Sequence, residues 1–288
     1  MYETLKLKVS PNNSRGTIFS SPHSGCNYLK TFLEKSNLNL AELRSLEDAF
    51  VGELFEVAIE HDASFIEAIF PRCFIDLNRS HLELDPKLIE GNFKFESTPR
   101  NFAGLGVIPR LSGRGNSIYK KAISFNEAQM RLRNFYFPYH QSISRLILRS
   151  KTLLGYAVLF DCHSMPSFFR SLKGSEYKRN NTEIVLGDLN GFSCNPSLTQ
   201  RVKKIFERHG FFVSINKPFA GGFITKNYGN PRDQVHALQI EINKSLYMDE
   251  EKIVPNKHFK AFKKTLAVII KELSSLTIFG DFSEVAAE

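Results

Sequence analysis

Residues 156–164 read YAVLFDCHS. An unbroken apolar run that ends in a polar cluster is the pattern of a central strand buried on both faces, where no inside–outside alternation is needed. Strands of this kind belong to sheets whose crossovers are helices packed on either side. This run therefore predicts an α/β fold built on a mixed, mostly parallel sheet flanked by helices.

The neighbouring segments agree. GTIFSS (16–21), ASFIEAIF (63–70), CFIDLNR (73–79), EIVLGDLNG (183–191), FFVSINKPF (211–219) and VHALQIEIN (235–243) read as strands. LAELRSLEDAFVGELFEVAIE (40–60) reads as one helix, with Leu43, Leu46, Phe50, Leu54 and Ala58 at three- and four-residue spacing. FNEAQMRLRNFYFPYHQSISRLILRS (125–150) is helical in pattern, and Pro138 should kink or divide it. LTQRVKKIFERHG (198–210) and HFKAFKKTLAVIIKELSSL (258–276) are further amphipathic helices, while Pro86 to Gly115 has loop composition. With no internal repeat and no linker, the 288 residues are expected to form a single domain, 1–288.

Composition excludes several classes of function. The net charge of +8 is scattered, with Arg201, Lys203, Lys204 and Arg208 on one helix and Lys257, Lys260, Lys263 and Lys264 on another. That pattern marks solvated faces, and no nucleic-acid partner is expected. The four cysteines, Cys26, Cys73, Cys162 and Cys194, form no CxxC pair. No apolar run is long enough for a bilayer, and MYETLKLKVSPNN has no apolar signal core, so no membrane partner and a cytoplasmic location are expected.

In α/β sheets, ligands bind beyond the carboxyl ends of the strands. His23 in SPHSG, the DLNR segment, His163, Asp188 and Glu241 all stand at or near such ends. Imidazole suits zinc, and His163 follows a buried strand where a polar side chain needs a partner. A carboxylate or another histidine should complete a three-ligand site, and the pair Glu47 and Asp48 is the nearest candidate, the alternative being that both are solvent-facing helix charges. In a helix, steps of about 100° put Glu47 inside the apolar stripe and Asp48 at or past its edge. Arg79, Arg72 and Arg110 offer planar forks suited to a substrate carboxylate or to structural ion pairs. Within VHALQIEIN, alternation puts Gln239, Glu241 and Asn243 on one face, and Glu241 beside a metal would suit proton transfer.

Taken in order, SPHSG, RSLEDAFVGELF, FIDLNRS, GLGVIPR, PYH, DCHSMPS, GGFITKNYG and HALQIEINKSLYMDE resemble the N-formylglutamate amidohydrolase family, from about Gly16 to Asp249. That family is similar in fold to zinc carboxypeptidases and aspartoacylases. The resemblance implies Zn2+ held by His23, His163 and a carboxylate of the ED pair. The spacing of Asp48 to Val51 and Leu54 matches the family and implies Asp48, against the helical phase that favours Glu47. It also implies Asn78 and Arg79 on a substrate carboxylate and Glu241 as general base, with Arg72, Arg110 or the GGFITKNYG loop reading the rest. One departure stands out: the HxxE pairing of many carboxypeptidase-type sites is absent, because Cys26 is the third residue after His23. The expected activity is hydrolysis of a small anionic N-acyl amino acid, N-formyl-L-glutamate first among them, with oligomeric state left open.

Overall fold

The computed structural model describes residues 3–12, 14–170, 177–179 and 181–278. Its main sheet contains β1 (Leu5–Lys8), β2 (Thr17–Ser21), β3 (Ser64–Ala68), β4 (Ala157–Met165), β5 (Ile184–Gly187), β6 (Val213–Ile215) and β7 (Val235–Asn243). Their spatial order is β1-β3-β2-β4-β7-β5-β6. The pairs β3–β2, β2–β4, β4–β7 and β5–β6 are parallel, whereas β1–β3 and β7–β5 are antiparallel. The mixed, mostly parallel sheet expected from the sequence is thus present, with β4 and β7 buried along their whole length.

Each face of the sheet carries its own apolar layer. Val158, Phe160 and Cys162 of β4 pack with Leu238, Ile240 and Ile242 of β7 on one face, against helices Pro196–Arg208 and Phe259–Ser274. On the other face Ala157 and Leu159 join Val235 and Ala237 beneath helix Phe137–Leu154. This second face changes character along the strands. After Leu159 the same alternation presents Asp161 and His163, and after Ala237 it presents Gln239 and Glu241. The apolar layer ends there and the candidate site begins.

Three sequence expectations are corrected and a fourth, on Pro138, holds. The helix expected over 40–60 is two short helices, α1 (Leu40–Arg44) and α2 (Val51–Phe55), followed by a 3-10 turn over Glu56–His61. Between them the Asp48 N–H donates to the His23 carbonyl at 3.0 Å, and Phe50 adopts φ 67°. A backbone donor spent on a distant loop and a left-handed residue both break the helical ladder. The CFIDLNR strand is absent: the chain turns at Pro71, whose carbonyl accepts from Phe74 N, and Asp76 N donates to Val107 O at 2.7 Å. GGFITKNYG is not wholly a loop, because α3 (Phe223–Tyr228) forms within it. The segment expected over 125–150 is divided beside Pro138 as the sequence suggests: a π-helical turn, Leu132–Tyr136, separates helix Phe125–Arg131 from helix Phe137–Leu154, and the ladder changes register just before the proline that cannot donate to it.

Among the described residues no helix is long and apolar enough to cross a membrane.

Candidate active site

His23 lies in the loop after β2, and local packing leaves that loop little choice of position. A Cβ at Gly25 would lie 2.2 Å from the Phe70 carbonyl oxygen, so only glycine allows the two backbones to approach this closely. Ser24 Oγ accepts from Gly52 N at 2.8 Å, which ties the loop to α2. The Asp48 N–H to His23 carbonyl bond then sets Asp48 beside the histidine it follows in space.

Three buried side chains converge here: His23, Asp48 and His163. Asp48 Oδ2 lies 3.4 Å from His23 Nδ1 and 2.9 Å from His163 Nδ1, and the two rings are 4.7 Å apart between centroids. The far nitrogens are held by carboxylates, His23 Nε2 by Asp76 Oδ1 at 2.7 Å and His163 Nε2 by Asp161 Oδ2 at 3.0 Å. A carboxylate on Nε2 fixes the proton there and turns the Nδ1 lone pair inward, the outer support that metal-binding histidines need. His23 Nδ1 is buried with no hydrogen-bond partner. An unpartnered buried nitrogen facing a carboxylate and a second imidazole fits a divalent cation, and this N2O donor set suits zinc.

Electrostatics sharpen the picture. Burial pushes the Asp48 carboxyl upward, but the adjacent His163 and His23 imidazoles outweigh it and hold Asp48 well below the usual carboxylate range. Asp76 is likewise pushed up by burial, then held well below its usual range by Arg72, His23 and Arg79 together. Glu241 differs. Burial pushes its carboxyl up to about 7, with His163 pulling against the shift and Asp48 adding to it. A carboxyl near neutrality is suited to taking and returning a proton. Gln239 Nε2 donates to Glu241 Oε1 at 2.8 Å and fixes its orientation.

These groups open onto a cavity of about 1110 Å³. Arg72, Asn78 and Arg79 line it. Arg72 Nη2 pairs with Asp76 Oδ2 at 2.8 Å, and Arg79 donates to the Leu105 and Asn78 carbonyls. Asn78 Oδ1 accepts from Ile224 N at 2.7 Å, while its Nδ2 donates to Asp161 Oδ2 at 3.4 Å. Gly222 permits that placement, since a Cβ there would lie 2.3 Å from Asn78 Nδ2.

Three other residues are engaged elsewhere. Arg110 stands outside the cavity, its Nε bonded to Asp85 Oδ2 at 2.8 Å. Glu47 lines the cavity, but its carboxylate accepts from Tyr28 Oη at 2.8 Å and Arg44 Nε at 3.3 Å instead of joining the two histidines. Asp188 accepts from Thr199 Oγ1, Asn216 Nδ2 and Gly191 N. Because β5 runs antiparallel to β7, its carboxyl end is carried back along β7, away from Glu241. The sequence reading assigned no part to Asp76 and Asp161. Asp161 was findable, since it shares a strand face with His163 by alternation; Asp76 was not, because its partner is 53 residues away.

Comparison with known proteins places the chain. The family model for N-formylglutamate amidohydrolase matches residues 16–248. An N-formylglutamate deformylase of Pseudomonas putida is 30% identical over 261 residues, covering 89% of this chain and 90% of its own. Another N-formylglutamate deformylase, from Pseudomonas aeruginosa, is 30% identical over 266 residues, covering 91% and 93%. A crystal structure of N-formylglutamate amidohydrolase from Ralstonia eutropha JMP134 superposes with a TM-score of 0.87 at 27% identity, covering 94% of this chain and 97% of that one. With a family match over most of its length and His23, Asp48, His163 and Glu241 gathered at one sheet edge, this chain belongs to the N-formylglutamate amidohydrolase family.

Proposed function

We propose that the protein hydrolyses the amide of N-formyl-L-glutamate to formate and L-glutamate, with a zinc ion held by His23, Asp48 and His163. The observation that carries the reading is the convergence of two imidazole Nδ1 atoms on Asp48 Oδ2, beside a Glu241 whose carboxyl sits at about 7. The relatives named for this substrate support it. When bound, zinc supplies Lewis-acid polarisation of the formyl carbonyl and makes water more acidic.

The chain's own residues do the rest. Glu241 accepts a proton from the attacking water and returns it to the departing amine nitrogen, the two halves of general base and general acid work. Asp76 and Asp161 keep the two imidazoles turned inward. Arg79, carried with Asn78 beside this group, binds a substrate carboxylate, and Arg72 adds positive charge next to it.

The test is formate or acid release from N-formyl, N-acetyl and N-succinyl amino acids, with metal content measured on the same preparation. N-formyl-L-glutamate should be the preferred substrate, and chelation should abolish turnover that added zinc restores. Preference for another acyl amino acid would replace the substrate and leave the chemistry standing. A metal-free protein that hydrolyses none of them would overturn the reading.

A further inference from the structure

N-formyl-L-glutamate carries two carboxylates, and the reading above provides a partner for only one of them. Among the described residues, six cationic side chains line the cavity: Arg44, Arg72, Arg79, Lys244, Arg100 and Arg114. Four are already engaged. Arg44 bonds to Glu47 and Arg72 to Asp76, Arg79 donates to two backbone carbonyls, and Lys244 Nζ donates to the Glu47 carbonyl at 2.6 Å. Of the two without a side-chain partner among the described residues, Arg100 lies in the field of Arg79 and therefore serves the same end of the cavity. Arg114 is carried on a different device.

That device is a small hairpin. Ser112 N donates to Asn116 O at 2.8 Å and Ile118 N to Arg110 O at 2.9 Å, closing a tip that reads SGRGN. Glycines flank Arg114 on both sides, Gly115 has φ +86°, and a Cβ at either would meet nothing within 4 Å. The tip turn is closed by Gly115 N on the Ser112 carbonyl at 2.9 Å, with open space beside both glycines, and its base is pinned by Arg110 Nε on the buried Asp85 at 2.8 Å. A cationic tip between two glycines, set at the cavity by an ion pair on buried Asp85, presents its guanidinium to a ligand held there.

We propose that Arg114 reads the distal carboxylate of the substrate, so that the Arg110–Ile118 hairpin selects dicarboxylic over monocarboxylic N-acyl amino acids. The proposal rests on the formylglutamate reading and assigns Arg110 a positioning role at the base of the hairpin.

The experiment compares kcat and KM for N-formyl-L-glutamate and N-formyl-L-glutamine, which differ only in the distal charge, in the wild type, R114Q and R100Q. In R114Q, kcat/KM for formylglutamate should fall on the order of 10- to 100-fold, chiefly through KM, while formylglutamine changes by less than about 3-fold. An unchanged ratio in R114Q, or a ratio that collapses in R100Q instead, overturns the assignment of Arg114. A wild type that turns over neither compound overturns the formylglutamate reading itself, and with it this one.

Discussion

His163 and Glu241 are register partners on β4 and β7, adjacent parallel strands at the centre of the sheet. Neighbouring strands lie about 4.8 Å apart, so backbone pairing alone sets the Glu241 carboxyl beside the His163 imidazole. The same register pairs Asp161 with Gln239, one step back on the same face. The imidazole, the Glu241 carboxyl, Asp161 and Gln239 thus form a square of side chains at one edge of the apolar layer.

If Glu241 carries the proton, Glu241→Gln should lower kcat on the order of 10²- to 10⁴-fold while the metal content of the purified protein stays at the wild-type level. Glutamine keeps the volume and the contact with Gln239 but cannot accept the proton. Formate release and elemental analysis on one sample decide it, and a variant with wild-type kcat would remove Glu241 from this role.

The choice between Glu47 and Asp48 is open to the same pair of measurements. Asp48→Asn should lose bound metal and activity together. Glu47→Gln, whose carboxylate is occupied by Tyr28 and Arg44, should retain the metal. Metal loss in the Glu47 variant alone would reverse the assignment.

Why the sequence pointed to Glu47 is instructive. Helical phase over 40–60 holds only for a continuous ladder, yet Phe50 is left-handed and Asp48 N is spent on His23. Nothing local in EDAF announces that break, because its cause is a loop 25 residues upstream. The strands β4 and β7 were legible for the opposite reason: their apolar runs and alternation are local properties, and they delivered His163 and Glu241 to one face correctly. DLNR misled as a strand because its backbone pairs with Val107 in an irregular arm rather than with the sheet.

The carboxylates behind the histidines should matter almost as much as the ligands. Asp76→Asn and Asp161→Asn are each expected to weaken zinc affinity on the order of 10- to 100-fold, since the imidazoles lose the acceptor that fixes their proton. Competition with a chromogenic chelator measures this directly. Affinities equal to wild type would mean that the Nε2 contacts are merely structural.

Gly25→Ala tests whether the His23 loop is seated by close packing. The new methyl would overlap the Phe70 carbonyl, so either β3's exit or the loop must move. Overpacking of this kind costs about 1–3 kcal/mol. A lowered melting temperature with weaker zinc binding is the expected result, and unchanged values of both would show that the approach can relax.

His140 gives the fold a pH dependence of its own, separate from the catalytic groups. Its Nε2 donates to the Leu77 carbonyl at 3.0 Å, and its Nδ1 lies 2.8 Å from Tyr228 Oη, so it braces the DLNR segment from behind. Burial pushes its pKa down to about 4. A histidine unfolded in water titrates near 6.5, so between these values the unfolded chain binds a proton that the folded chain refuses. The contribution is therefore complete above pH 6.5 and is lost as pH falls toward 4, amounting to about 2 kcal/mol between pH 7 and pH 5. His140→Gln should be less stable than wild type at pH 7, yet lose about 2 kcal/mol less on acidification, as read from urea unfolding at the two pH values. Equal acid sensitivity in both proteins would mean that His140 is not held neutral by the fold.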